Sequence, residues 1–552
     1  MARNSRIIIC KNIKLDKEYN NVLSYNETKM LALCTANAVQ QGTNYSFIRS
    51  SNNVISVGFS YNDCLKCNYM AFENLDYSNK WFFAFIDSVE YVSDGNSKIH
   101  YTIDEFSTWF DYWNPKTCFV IREHVSNDTI GLHTIPENVE TGEYVVQSVQ
   151  NADLGSAHVV IASSWNPFTE KPGGSVVNGI YNGCDYFLLK ENQRNDISYF
   201  MGMMSTQSKA DAVLGLFMIP DKLTGYASIS WDYMSQPEGN LAYYPYKQLP
   251  VSNSDSTNVK NMGSVTVSKN YSTINGYTPK NNKLFTSQFN LLMCSNNCGA
   301  SALYNYEDFS SSSCVFNING VITPGASIRC FPTNYKGITS NQEEGLTGAK
   351  YPVCSYNTDM YINWLTQNSV NVSIGNFDFD IKPNDISMAT SIGSIAGGVG
   401  LLATGGGAMA GAGAIVSGGI GLANSVASIQ QHQKIPPQFS GNINSGDVMY
   451  SMGNCDFTFR KLTIKKEYAQ IIDDYFTRLG YKVNTLKVPN QVTRPYFNYV
   501  QIANTEDIGY STNTTRSVPS SSMAVINSIY RRGVTLWHNH DYLGDYSVDN
   551  SI

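Results

Sequence analysis

Apolar and polar residues alternate in two runs between Trp81 and Phe110, WFFAFIDSVEYVS and KIHYTIDEFSTWF. They flank Asp94-Gly95, and this spacing predicts a β-hairpin. TCFVIREHV, from Thr117 to Val125, predicts a further strand. From about Gly142 to Asp380, short strand-like runs such as AHVVIASSW and SVNVSIGNFDFDI alternate with Ser/Asn/Gly-rich turns, which predicts a β-rich middle region. The period changes in TIKKEYAQIIDDYFTRLGYKV, where Tyr468, Ile471, Ile472, Tyr475 and Leu479 recur at helical spacing ahead of a capping Gly480. SSSMAVINSIYRRG predicts a second helix, with a serine cap after Pro519, cations in its last turn and Gly533 beyond it. Pro436-Pro437 marks a linker, and no internal repeat is present. The pattern as a whole is that of an α+β, β-rich chain.

One stretch follows neither period for long. From Ile386 to Gln433, about 48 positions pass without Asp, Glu, Lys or Arg, against the roughly 20 residues that cross a bilayer once. Met388, Ile392, Ile395, Val399 and Leu402 fall on one helical face. After a break at Gly405, Gly406 and Gly407, Ile415, Leu422, Val426 and Ile429 fall on another, with Leu401, Met409, Val416 and Ile420 as further apolar positions. The pattern predicts two helices of about 17 and 22 residues, roughly 25 and 33 Å long. Gly393 with Gly397 and Gly407 with Gly411 make GxxxG spacings that let helices approach closely. Each mid-helix glycine costs about 1 kcal/mol in water. In lipid, by contrast, unsatisfied backbone groups drive the same chain into helix. Three readings stand on these residues: conditional membrane insertion, a helical hairpin buried in a protein core, and a flexible linker.

Composition narrows the chemistry. A net charge of -7 with no basic block excludes a protein that grips DNA through its phosphates. MARNSRIIICKNIK has too short an apolar core for a secretory signal, so the chain is expected to fold where it is made. The 12 cysteines are scattered without a disulfide framework and are read as reduced thiols. Cys64 and Cys67 form the CxxC of the chain, read as ordinary residues on a strand because no second CxxC or histidine cluster completes a metal set; Cys294 and Cys298 are read likewise. His538 and His540 in WHNH lack distant partners and are assigned to a terminal strand and turn. No nucleophile elbow, phosphate loop or acid pair is present, so no enzyme, metal or cofactor is expected.

Several long motifs then carry a resemblance: MAFENLDYSNKWFFAFIDSVEY, IHYTIDEFSTWF and FVIREHV near the start, and KIPPQ, LGYKVNTLKVPNQVTRPYFNYVQ and GVTLWHNHDYLGDYSV near the end. In order and spacing the chain resembles the distal tail tube, or tail knob, proteins of small Salasvirus-like short-tailed bacteriophages. The resemblance implies a discontinuous tube domain (1–145 and 439–552), an outer β-rich knob domain (146–380) and an inserted hydrophobic helical hairpin loop (381–438), in a hexameric ring. It further implies loops that plug the lumen and then enter the host cytoplasmic membrane lipid, opening a path for double-stranded DNA without sequence recognition. The implied partners are the chain itself and a proximal tail or lower collar protein; the implied place is the distal tip of the virion tail, assembled in the host cytoplasm. The competing reading is a receptor-binding adhesin or depolymerase, which leaves the glycine-rich stretch without a role.

Overall fold

The computed structural model describes residues 5–45, 53–154, 157–249 and 259–350 with short gaps, 457–511 and 516–552, and a few strand pairs between 353 and 449. The chain divides into two compact units. The first comprises 1–139, Pro279–Leu284 and 470–552; the second comprises 140–278 and 285–469. Both are built mainly of strands, and helices are few.

Two sheets organise the first unit. One is antiparallel, in the order Ala38–Tyr45, Ser5–Cys10, Tyr69–Asn74, Lys80–Ser93, Asn96–Ile103, Val54–Val57. Of its inner strands, Ser5–Cys10, Tyr69–Asn74 and the first half of Lys80–Ser93 are buried at most positions, as strands covered on both faces are. Ile7 and Ile9 enter one core with Met70 and Phe72, while Ile8 and Cys10 enter the other with Tyr69 and Ala71. The IIIC run, too short for a signal, is therefore an inner strand. The predicted hairpin is present, turning at Asp94 and Gly95, but its second run ends at Ile103. There the buried Asp104 accepts from the Ser107 amide at 3.0 Å and caps the short helix Glu105–Trp109.

The second sheet mixes the two ends of the chain, in the order Asn21–Leu23, Val534–Trp537, Phe497–Ile502, Cys118–Glu123, Tyr481–Lys487. Helix Ser520–Arg532 covers it with Ile526, Ile529 and Tyr530, against Trp109, Trp113 and Val500. The N-cap of this helix is Pro519 without a side-chain bond, so the predicted serine cap is corrected: Ser520 is already inside the helix. A second correction concerns helix Lys466–Leu479. Ala469, Ile472 and Phe476 are its buried apolar positions, beside the buried Asp473, while Ile471 is 67% exposed. Phe476 packs edge to face on Tyr481 with ring centres 5.3 Å apart, a contact that the sequence period alone does not show. Gly480 ends this helix with φ +66°, and a Cβ there would lie 2.2 Å from the Glu123 carbonyl oxygen.

In the second unit, the four-stranded sheet runs Tyr144–Asn151, Thr458–Ile464, Asn290–Ser295, Ser301–Asn305. A five-stranded sheet joins Val259–Ser268, Ser313–Val321, Ser327–Tyr335, Ile338–Ser340 and Leu346–Lys350. A third sheet includes the predicted strand Ala157–Ser163 between Asp185–Leu189 and Val213–Pro220. One core, including Phe217, Leu292, Tyr304, Phe316, Phe457 and Phe459, holds the three sheets together.

Within the first unit, a buried ionic cluster binds distant parts of the chain. The Glu137 carboxylate is fully buried and accepts from the Arg122 guanidinium, from Lys283 Nζ at 2.5 Å and from the Lys482 amide at 2.8 Å. Removing one member of such a cluster leaves a buried charge without its partner. Glu137→Ala is expected to destabilise the first unit by about 3–5 kcal/mol. Glu344→Ala, which breaks the half-exposed pair with Lys336 at 2.5 Å, should cost less than about 1 kcal/mol. Urea titrations at neutral pH compare the two.

Candidate functional site

All the residues assigned above to membrane insertion, from Met388 to Ile429, and the glycines from Gly393 to Gly411 lie outside the described residues. What is described is the chain that precedes and follows that interval. On the outgoing side, strand Leu346–Lys350 pairs with Ser327–Tyr335. On the return side, Thr458–Ile464 lies between Tyr144–Asn151 and Asn290–Ser295, paired along both edges. Phe457, fully buried, accepts through its carbonyl from the Ala152 amide at 2.8 Å.

The two sides meet. A Cβ on Gly348 would lie 3.3 Å from the Phe457 ring and 2.8 Å from Ile328 Cγ1, so the glycine lets the outgoing strand pass against the return strand. Farther along, Cys354 pairs with Val448. The described chain before and after the interval therefore lies close together in the second unit. Among the described residues, no helix is long and apolar enough to cross a membrane.

The first unit supplies the other notable chemistry. His124 follows the strand Cys118–Glu123 and is fixed from both ring nitrogens. Nδ1 accepts from the Tyr499 amide at 2.7 Å, and Nε2 donates to the Thr477 carbonyl at 3.0 Å. A second ring proton would face an N–H. Burial pushes the imidazole down to about 3, with Arg494 and Arg122 acting in the same direction. Beside it, the buried Glu123 carboxylate accepts from the Asn490 amide at 2.8 Å and pairs with Lys487. Asp473 accepts from the amides of Lys280 at 2.8 Å and Asn281 at 3.0 Å, while Asp128 accepts from that of Asn282 at 3.0 Å. These carboxylates hold the hexapeptide Pro279–Leu284 in the first unit, although the second unit surrounds it in sequence. Sequence reasoning missed this network. The signal that could have found it is Arg122-Glu123-His124, three polar residues in succession at the end of an otherwise apolar run.

The cysteine and histidine motifs have packing roles. Cys64 ends a short helix, Tyr61–Cys64, capped by Ser60, whose Oγ accepts from the Asp63 amide at 3.2 Å. The strand expected for CLKC is therefore a capped helical turn. Cys64 and Cys67 are buried, and burial raises both thiols, that of Cys67 to about 12. Nine described cysteines are free and buried, Cys294 among them; Cys298 lies outside the described residues. The histidines of WHNH have separate partners: His538 lies 2.7 Å from Ser24 Oγ and 3.0 Å from Asn498 Oδ1, while the His540 amide donates to Tyr25 Oη at 3.0 Å. Among the described residues, no three His, Cys, Asp or Glu side chains converge as metal ligands.

Comparisons with known proteins fall into two groups. Residues 253–551 match the family model of the tail knob protein gp9 C-terminal domain of Bacillus phage phi29, and residues 3–114 match that of the caudoviral major tail protein N-terminus. The tail knob protein gp9 of Bacillus phage phi29 is 24% identical over 565 residues, covering 91% of this chain and 90% of that protein. The gp9 of phage B103 is 24% identical over 599 residues, covering 97% and 94%. Among solved structures, the tail knob protein gp12 of bacteriophage C1 shares the fold, with a TM-score of 0.58 at 13% identity and 99% of each chain covered.

Two outcomes follow from the geometry of the two units. The folded His124 ring resists the proton that its unfolded counterpart takes up below about pH 6.5. Its contribution to stability is complete above that pH and declines as pH falls towards about 3, by at most tenfold in the folding constant per pH unit. Urea titrations from pH 7 to pH 4 should show a pH slope shallower by up to one proton in His124→Gln. In the second unit, Phe457→Ala should cost about 3–5 kcal/mol, because the ring fills the point where the outgoing and return strands meet. Thermal unfolding of the variant measures it.

Proposed function

The chain belongs to the phage tail knob family of phi29 gp9, and from that premise we propose that six copies form the distal tube of a short tail, closed by a hydrophobic loop that later opens a membrane. As a tail knob protein it is a component of the virion tail, and its relatives are structural proteins. In this reading, the unit assembled from both ends of the chain forms the tube wall, the second unit is the outer knob, and the interval from Ile386 to Gln433 plugs the lumen before infection. On release, the apolar positions from Met388 to Ile429 enter the host cytoplasmic membrane, with Gly405, Gly406 and Gly407 as hinge and the GxxxG pairs as packing points. A proximal tail or lower collar protein binds the tube from above, and double-stranded DNA passes without being read. The net charge of -7 suits such a conduit, since like charges repel.

One observation supports the reading: the chain that contains the charge-free interval leaves and re-enters the second unit at one place, where Gly348 meets Phe457. A segment attached in this way can change surroundings while the strands at its base stay paired. An adhesin or depolymerase has no use for this arrangement.

Deleting residues 386–433 should leave tails that assemble and adsorb but deliver no DNA to the cytoplasm. Purified wild-type protein should release dye from liposomes, and the deletion should not. Leu402→Asp and Ile415→Asp should act like the deletion, since a carboxylate at a helix centre costs about 3 kcal/mol on insertion scales, repeated in each copy. Equal leakage from wild type and deletion would overturn the membrane role.

A further inference from the structure

A cavity of about 170 Å³ lies within the first unit. Its size is that of the apolar cavities that take a benzene-sized guest. Five aromatic rings line it, from Phe72, Tyr77, Phe82, Tyr101 and Trp109, and the one charged group on its wall is Glu105. Phe72 stacks on Phe82 at 5.5 Å, and Tyr77, Phe82 and Trp109 meet edge to face at 5.8–5.9 Å, so the rings brace one another. Glu105 is held by the Trp109 indole, whose Nε1 donates to Oε2 at 3.1 Å. Tyr77, Phe82 and Glu105 are half-buried, while Phe72, Tyr101 and Trp109 are buried, so the cavity has a closed side and a side towards solvent.

Ring faces carry negative potential, and several rings around one carboxylate favour a cation that has apolar bulk. The same unit already uses this chemistry next door. Lys80, with a fully buried side chain, holds its ammonium 3.9 Å from the Tyr112 ring, 4.9 Å from Trp109 and 5.7 Å from Phe82, with the Glu27 carboxylate at 3.1 Å. Glu27 balances Lys80, and Lys80 is not among the residues lining the cavity, which leaves Glu105 as its charge.

We propose that this cavity is a binding site for an alkylammonium head group of about trimethylammonium size, held by the rings and oriented by Glu105. A neutral group of the same shape would gain the apolar contact and forgo the attraction of the carboxylate and the ring faces. Free small molecules and lysine side chains share this chemistry, so the probes must separate them.

The test uses the full chain, with binding followed by titration calorimetry and by saturation-transfer NMR of the ligand methyl groups. Choline should bind saturably and at least tenfold more tightly than its neutral isostere 3,3-dimethylbutan-1-ol. Glu105→Gln keeps the shape of the wall and an acceptor for the Trp109 indole; it should weaken choline at least fivefold and leave the alcohol unchanged. Tyr77→Leu should weaken choline by a similar factor. N-acetyl-lysine amide binding more tightly than choline would assign the site to a protein side chain, and the reverse order to a free quaternary ammonium. Equal affinity for choline and the alcohol, no saturation with either cation, or indifference to Glu105→Gln would each overturn the proposal.

Discussion

A single carboxylate, that of Glu137, has no contact with solvent and must be satisfied from three separate regions of the chain. Arg122 comes from the N-terminal part, Lys283 from a hexapeptide in the middle, and the Lys482 amide from the C-terminal part. Charges buried to this degree are tolerated only with near-complete hydrogen bonding, so the cluster forms when all three regions are in place and not before. Arg122 extends the condition, because its other nitrogen donates to the Gly480 carbonyl at 2.7 Å, at the left-handed end of helix Lys466–Leu479. Burial lowers the Lys283 ammonium's affinity for its proton, and the Glu137 carboxylate acts against that. The cluster therefore ties these three regions of the first unit to one another.

The second unit depends on a strand that arrives late. Thr458–Ile464 is paired on both sides, which makes it an inner strand of its sheet although it follows the long hydrophobic interval in sequence. The sheet cannot be completed until the chain has come back, and non-local pairings of this kind are formed slowly.

Much of this was legible beforehand. The Asp94-Gly95 hairpin, the strand at Cys118–Glu123 and the existence of both C-terminal helices, with Gly480 and Gly533 at their ends, follow from periodicity and turn residues, while the serine cap and the full apolar stripe do not. The charge-free interval stands out for its composition alone, since no tertiary information is needed to see that 48 positions lack Asp, Glu, Lys and Arg. Other features were hidden for physical reasons. Ile471 and Phe476 lie on different faces of their helix, and both are apolar, so the sequence period does not say which of the two turns inward. Cys64 and Cys67 took a helical turn because Ser60 caps it, a local hydrogen bond that outweighs strand propensity. The role of Pro279–Leu284 could not be read at all, because its meaning lies in Asp128 and Asp473, about 150 and 190 positions away.

The buried thiols bear on how such a protein survives a change of medium. Attack on an oxidant or a disulfide requires a thiolate within reach, and the described cysteines are shielded from solvent, several with raised proton affinity. Transfer from reducing to aerated surroundings should then leave these nine thiols unreacted for as long as the units that bury them stay folded.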